Sequence, residues 1–330
     1  MILRSGSLLL GALVALAPTS FASNLALDAP VLGYVFDGDS GELHRINGLL
    51  GSSSLSDAIG LQSPVSRASV STNQRFAIVQ DGDGRTLLVD LTVEPPSATE
   101  LEGVMDGAEG VLFGPSGLVA AFYAKDRGLL QFVDGLGSSP TVGSEIDGLD
   151  GLGSISGLAL SDSGSVLVAT SGGGGGSLYM LPRRARAQRV GSVQEASGLT
   201  FLRGEEDAII ADGEANEVIF LRSYGMSWHA ITVATENDGL NRPYLAGATG
   251  DGSYAVVAVP GGVMSIPLYG GAVSFADCAC SPTGLTPLLG GNAFLLTSDP
   301  RQPLLAVEVG EEPRVRFIPA LPLDDPVATF

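Results

Sequence analysis

The chain has 330 residues, of which 45% are hydrophobic, and its 36 acidic residues outnumber its 17 basic residues to give a formal net charge of −19. This acidic balance argues against nucleic acid as a partner, because the chain repels phosphate backbones. The apolar fraction excludes a disordered chain, and the 46 glycines are typical of many short strands joined by turns.

The first 22 residues have the pattern of an export signal. Arg4 precedes an uninterrupted apolar stretch over residues 8–17, and the small residues Ser20 and Ala22 stand at the two positions before the expected cleavage site that favour small side chains. An uncleaved membrane anchor is the alternative, but the apolar stretch is shorter than the roughly 20 residues that span a bilayer. We therefore expect an exported protein, periplasmic or extracellular, with no membrane span after cleavage.

The rest of the chain repeats one unit of strand, turn, strand, loop and strand. Its clearest copy covers residues 157–181, where GLAL, SDSG, SVLVATS, a glycine run and SLYML follow one another. The period is that of β-propeller blades, each of which is one small sheet. Six copies can be aligned on the residue that opens the unit: Arg67, Gly110, Gly157, Gly198, Leu245 and Gly284.

Each strand of the unit has its own composition. The inner strand is short and rich in small residues, which suits a crowded central channel. The second strand is an almost continuous apolar run, which is typical of a strand buried on both faces. The outer strand is weakest, because sheet edges are polar and variable. Examples of the inner, second, third and outer strands are AGA from Ala246, VLVAT from Val166, SLYML from Ser177 and RVRFIP from Arg314.

An additional half-repeat, VLGYVF from Val31 with ELHRI from Glu42, brings the count to seven blades. We therefore predict an all-β fold: one seven-bladed β-propeller of four-stranded antiparallel sheets over residues 23–330, with the ring closed by a terminal strand. Two segments compete to complete the first blade, LAL from Leu25 and the last five residues from Pro326; the latter is in phase with the repeat. A parallel β-helix has shorter coils, and a β-sandwich would not repeat this spelling in phase.

The unit GLALSDSGSVLVATSGGGGGSLYML resembles the repeat of the extracytoplasmic YVTN, NHL and lactonase-like propellers. The resemblance covers almost the whole chain after residue 22. These families share the grammar of their blades and differ in function. The resemblance therefore implies a fold and a compartment, and it implies no particular reaction.

Ligands of propellers are expected on the face that gathers the loops between second and third strands and the loops that enter each inner strand. Acidic residues and a few arginines recur in these loops. The candidate ligand-binding residues on this face are Asp81, Asp83, Glu109, Asp126, Arg127, Asp212, Arg242, Asp299 and Arg301.

Two Asp-Gly-Asp copies, Asp37/Asp39 and Asp81/Asp83, suggest calcium, because this hard cation prefers several carboxylate oxygens on a tight turn. Both copies lack the rest of the twelve-residue calcium loop. Asp-Gly is also a preferred hairpin turn, because such turns need positive φ angles. Ordinary hairpins are the favoured interpretation, calcium is the alternative, and no other cofactor is predicted.

Cys278 and Cys280 are the two cysteines of the chain. A disulfide between them is expected in an oxidising compartment. A bridge across a single residue closes a small ring, which makes it comparatively easy to reduce. A structural or adventitious bridge is favoured over free thiols and over a redox role.

No catalytic set is predicted, because the two histidines, His44 and His229, both fall in strands and no nucleophile motif accompanies them. We predict a monomeric, non-enzymatic propeller that binds a protein, peptide or glycan through one loop face. The alternative is a lactonase-like or quinoprotein-like enzyme. That alternative requires several charged residues to converge in one pocket, with at least one carboxylate of raised pKa: Asp81, Glu109, Asp147, Glu195, Asp212 and Arg242.

Overall fold

The computed structural model describes residues 29–61, 64–225 and 227–321. The expected export signal lies outside the described residues and stays a prediction. Within the described ranges, no helix has the length and apolarity needed to cross a bilayer.

Seven antiparallel sheets form the molecule, six with four strands and one with three. Strands that are consecutive in the chain are neighbours in every sheet, so each sheet is a simple meander. The one helical segment in the described part of the chain is a single 3₁₀ turn at Glu236–Asp238. The predicted seven-bladed, all-β propeller is confirmed.

The strands follow the chain blade by blade, from the inner edge of each sheet to its outer edge. Blade 1 holds β1 (Val31–Asp37), β2 (Glu42–Asn47) and β3 (Ser54–Ala58). Blade 2 holds β4 (Val65–Val70), β5 (Phe76–Asp81), β6 (Thr86–Asp90) and β7 (Ser97–Glu100). Blade 3 holds β8 (Gly110–Phe113), β9 (Ala120–Ala124), β10 (Leu129–Asp134) and β11 (Thr141–Ile146).

The remaining four blades have the same order. Blade 4 holds β12 (Ser154–Leu160), β13 (Val166–Ser171), β14 (Gly176–Leu181) and β15 (Gln188–Val193). Blade 5 holds β16 (Ala196–Phe201), β17 (Ala208–Asp212), β18 (Glu217–Tyr224) and β19 (Ser227–Ala234). Blade 6 holds β20 (Leu245–Ala248), β21 (Tyr254–Val259), β22 (Gly262–Pro267) and β23 (Ser274–Asp277). Blade 7 holds β24 (Thr286–Pro287), β25 (Ala293–Leu295), β26 (Leu304–Glu308) and β27 (Arg314–Ile318).

The core lies in the seams between blades. Second strands such as β17 are buried along their whole length, because each one packs against the sheets on both sides. Seven apolar clusters fill the seven seams. One of them packs Val35 and Ile46 of blade 1 against Leu304 and Ala306 of blade 7. This cluster joins the two ends of the repeat and makes the structure a closed ring.

The inner strands are short and close to one another. At Gly198 in β16, an added Cβ would lie 2.7 Å from the backbone nitrogen of Ala246 in β20. This closeness explains the small residues that the sequence places in inner strands. The inner strand of blade 7 is two residues long, shorter than the predicted LTP, because Pro287 has no backbone N–H to extend the ladder.

Blade 1 has no inner strand among the described residues, and both candidates for it, LAL from Leu25 and the segment from Pro326, lie outside them. Part of the inner edge of β1 is held by other blades. The Gln74 carboxamide of blade 2 accepts a hydrogen bond from the Tyr34 backbone N–H at 2.9 Å and donates to the Pro287 carbonyl of blade 7 at 2.8 Å. One buried side chain therefore ties three blades together.

We call the side that carries the turns between inner and second strands the back face; these turns are residues 71–75, 114–119, 161–165, 202–207, 249–253 and 288–292. Hydrogen bonds link the turns across the seams. Asp162 of blade 4 accepts from the Ser116 N–H of blade 3 at 2.7 Å and from the Gly204 N–H of blade 5 at 2.8 Å. Asn73 of blade 2 donates to the Ser116 carbonyl at 2.8 Å. Gly250 bonds to Gly291 across the next seam but one. The turns thus form a bonded belt around the ring axis.

Candidate functional site

We call the opposite side the front face; it carries the turns between second and third strands, at residues 38–41, 82–85, 125–128, 172–175, 213–216, 260–261 and 296–303. The loops that join blades lie beside these turns. Gly82 donates to the Pro64 carbonyl, and Cys278 donates to the Gly261 carbonyl, each at 3.1 Å. The candidate ligand-binding residues are placed on this face: Asp81 and Asp212 end second strands, Asp83, Asp126, Arg127, Asp299 and Arg301 lie in its turns, and Glu109 and Arg242 precede inner strands.

The Asp81 carboxylate is turned into its own hairpin. It accepts hydrogen bonds from the backbone N–H groups of Asp83 at 3.0 Å and Arg85 at 2.9 Å, and the Arg85 guanidinium lies 2.7 Å away. Burial alone would raise the pKa of Asp81, but the hydrogen bonds and charge of Arg85 outweigh burial and lower it. Asp81 therefore stabilises its turn as a carboxylate.

Two other acidic residues do the same work in their blades. Asp212 is 2% exposed and accepts from the N–H groups of Gln194 at 2.7 Å and Glu195 at 2.9 Å. Asp37 accepts from the Asp39 N–H at 2.9 Å. Burial would raise the pKa of Asp37, but bonds from Asp39 and the following serine lower it. These carboxylates hold turns and blade-joining loops in place.

Charged groups of the front face also bridge the seam between blades 7 and 1. Arg301 pairs with Asp39 across the seam and with Asp299 in its own turn, where the two atoms lie 3.2 Å apart. Its Nε lies 3.9 Å from Asp37. These exposed pairs contribute little stability each, and their main consequence is local neutralisation of the Asp-Gly-Asp turn.

The charged residues proposed for an enzyme do not share one cavity. Asp81 lines a small cavity between blades 1 and 2, whereas Glu195 lines a surface depression beside the glycine turn of blade 4. The Glu109 carboxylate accepts from the Asp126 N–H at 3.1 Å. The carboxyl groups whose pKa departs from its ordinary value, Asp37, Asp81 and Asp251, are all shifted downward.

We expect calcium removal to leave the melting temperature unchanged. Within the described ranges, no three His, Cys, Asp or Glu side chains come together in a way that could hold a metal ion. The Asp37 and Asp81 oxygens already accept hydrogen bonds within their turns. Thermal melting with and without EDTA checks this, since a bound ion stabilises only the folded state. A lower melting temperature in EDTA that calcium restores would contradict it.

A cavity of about 330 Å³ opens on the front face between blades 2 and 3, and we call it the front cavity. Ile78 and Phe122, 4% and 3% exposed, form part of its wall. The loop at residues 101–109 covers it, and Met105 of that loop is also buried. Arg67 and Arg85 stand among its lining residues. The front cavity is thus an apolar recess with charged groups beside it.

The loop over the front cavity is held by side chains of blade 3. The Gln131 carboxamide accepts from the Met105 N–H at 2.6 Å and donates to the Gly103 carbonyl at 2.8 Å. Arg127 donates to the carbonyl of Asp106. From blade 2, Arg67 donates to the carbonyl of Glu109 at 2.9 Å. The recess is therefore preformed.

Sequence reasoning placed Arg127 and Glu109 on this face but missed the cavity beside them. Its principal anchor, Gln131, lies in the middle of the third strand β10, where a lone glutamine inside an apolar run was the available signal. A buried glutamine needs hydrogen-bond partners, and here they are the backbone of the covering loop.

Cys278 and Cys280 are joined by a disulfide in the loop that leads into blade 7. Ala279 between them has a positive φ of 49°, and its N–H donates to Asp277 at 2.8 Å. The two histidines lie in different blades: His44 is buried in β2 and His229 is exposed on β19.

No protein-family model and no curated protein matches this sequence. Two solved structures are similar in fold. A functionally unknown protein from Desulfotomaculum acetoxidans DSM 771 is 14% identical, with a TM-score of 0.60 over 88% of this chain and 100% of that one. A protein from Lactobacillus plantarum is 11% identical, with a TM-score of 0.55 over 88% of this chain and 99% of that one. At these identities the likeness concerns the fold alone.

Proposed function

We propose that this protein is an exported, non-enzymatic propeller that binds a protein or peptide through its front face, with an apolar side chain of the partner entering the front cavity. The observation that carries the proposal is the preformed recess under the loop at residues 101–109. Concave apolar sites with a few polar groups are the usual places of binding in proteins. Export rests on the sequence pattern of the first 22 residues.

The walls of the front cavity favour an apolar side chain over a sugar. Ile78, Met105 and Val111 present aliphatic groups, and Arg67 and Arg85 can hydrogen-bond to the partner's backbone carbonyls at the rim. An apolar side chain gains about 25 cal/mol for each Å² that leaves water. A glycan would leave its hydroxyl groups without partners against such walls.

Binding is favoured over catalysis by the use that the fold makes of its charged groups. Asp81 and Asp212 are occupied within turns, and their hydrogen bonds keep them away from a shared pocket. A general acid needs a raised pKa, whereas the shifted carboxyl groups of the described chain go in the other direction. The front-face carboxylates therefore support the scaffold of a binding surface.

The experiment is selection of a random peptide library on the immobilised protein, followed by titration of the enriched peptides. We expect enrichment of peptides with an apolar residue at a fixed position. Replacing Ala108, which lines the front cavity, with tryptophan fills the recess and should weaken binding at least tenfold, about 1.4 kcal/mol.

The matched control is Ala185→Trp, because Ala185 is exposed in the turn between β14 and β15 on the back face. It should bind the same peptides as the unmodified protein. Equal binding by the Ala108→Trp protein, with an unchanged melting temperature, would place the site elsewhere. A selection that enriches no peptide family would contradict the binding function itself.

A further inference from the structure

The largest cavity described in the ring, about 710 Å³, opens at the centre of the back face. Residues from blades 2, 3, 5, 6 and 7 line it, so it lies on the ring axis, inside the bonded belt of turns. Its wall is apolar where inner strands reach it, at Leu199, Ala246, Ala248 and Leu285. We call this space the back cavity.

Two arginines stand at the rim of the back cavity, Arg75 in a turn of blade 2 and Arg203 in a turn of blade 5. Both are exposed. Neither guanidinium forms an ion pair with a carboxylate of the described chain. The other arginines that line a described cavity, Arg67 and Arg85, are held by carbonyls or by Asp81. Arg75 and Arg203 thus have free hydrogen-bond donors directed at solvent or a ligand.

The acidic groups of the same turns are occupied. Asp162 caps the turns of both neighbouring blades, and Glu206 accepts from Ser161 at 3.0 Å. Asp251 is the one carboxylate among the described lining residues of the back cavity. It accepts from the Thr249 hydroxyl at 2.7 Å and from its own turn, and these bonds lower its pKa. The carboxylates therefore build the belt, and the arginines remain for a ligand.

We propose that the back cavity binds a small organic polycarboxylate, held by Arg75 and Arg203 across the opening. A guanidinium matches a carboxylate with two parallel hydrogen bonds. The belt fixes the turns that carry the two arginines, so little order has to be imposed when the ligand binds. The apolar wall suits a ligand with a carbon skeleton better than a bare inorganic anion.

The net charge of −19 opposes any anion at long range. At physiological ionic strength, however, charges farther away than about 8 Å are largely screened. Two arginines in contact with the ligand then decide the local balance. We accordingly expect binding to weaken as sodium chloride is raised, because the attraction acts between exposed charges.

The experiment is calorimetric titration of citrate into the full protein. Citrate should bind, and Arg75→Ala or Arg203→Ala should each weaken it about tenfold, the loss of one charge-assisted contact. Arg186→Ala is the control, because Arg186 is an exposed arginine in the turn after β14, away from the back cavity. It should leave the affinity unchanged, as should Ala108→Trp, which separates this site from the front cavity.

Several results would overturn the proposal. Citrate may be silent at millimolar concentration, or the Arg75→Ala and Arg203→Ala proteins, folded by their melting temperatures, may bind it as well as the unmodified protein does. An equal loss in Arg186→Ala would mean diffuse attraction in place of a site. Tighter binding of inorganic pyrophosphate than of citrate would refute the organic ligand.

Discussion

Replacing Gln74 with leucine is expected to lower the free energy of unfolding by about 2 to 5 kcal/mol. Gln74 is 2% exposed, and its carboxamide joins the Tyr34 N–H to the Pro287 carbonyl. Leucine keeps the volume of the side chain and removes both bonds. It leaves a buried N–H and a buried carbonyl without partners, and each such group costs about 1 to 3 kcal/mol.

The change should appear as a fall in melting temperature of roughly 4 to 15 °C, measured by circular dichroism or calorimetry. Gln80→Leu is the matched control, because Gln80 is exposed and makes a single bond of 3.4 Å to its own turn. A surface change of this kind costs at most about 0.5 kcal/mol. If both variants melted together, the seam around β1 would have to be held by other contacts.

Much of the fold follows from the sequence because burial on both faces leaves a plain pattern. Second strands such as β13 (VLVATS) and β21 (YAVVAV) are apolar at nearly every position, and the structure buries them. Outer strands carry no such pattern. The residues of β7, SATE, are all exposed, so neither alternation nor hydrophobicity marks them as a strand. They pair with β6 through backbone bonds, to which a sequence pattern is blind.

The candidate sites were harder to predict, because the role of a polar residue depends on partners far away in the chain. Asp81 and Asp212 were proposed for a ligand and are used for turns, a use that the Asp-Gly spelling already suggested. Gln131 and Gln74 bond to residues 26 to 213 positions away. The back cavity depends on the belt of turns, which forms only when the ring closes.

Gly198→Val is expected to be among the most damaging single substitutions in the ring. The Cβ of any other residue here would lie 2.7 to 2.8 Å from the backbone of Leu245 and Ala246 in the next blade. Backbone cannot rotate away as a side chain can, so β16 and β20 must move apart. Overpacking of this kind costs about 3 kcal/mol or more, a fall in melting temperature of roughly 6 °C or greater.

Gly198→Ala is the milder test if the valine protein fails to fold, and about 1 to 3 kcal/mol is expected for it. Gly174→Ala is the control, because nothing lies within 4 Å of a Cβ built at Gly174. Alanine there removes only freedom of the unfolded chain and should be neutral or slightly stabilising. Alanine tolerated equally at both positions would mean that inner strands can spread, and the crowding around the ring axis would not be the reason for their small residues.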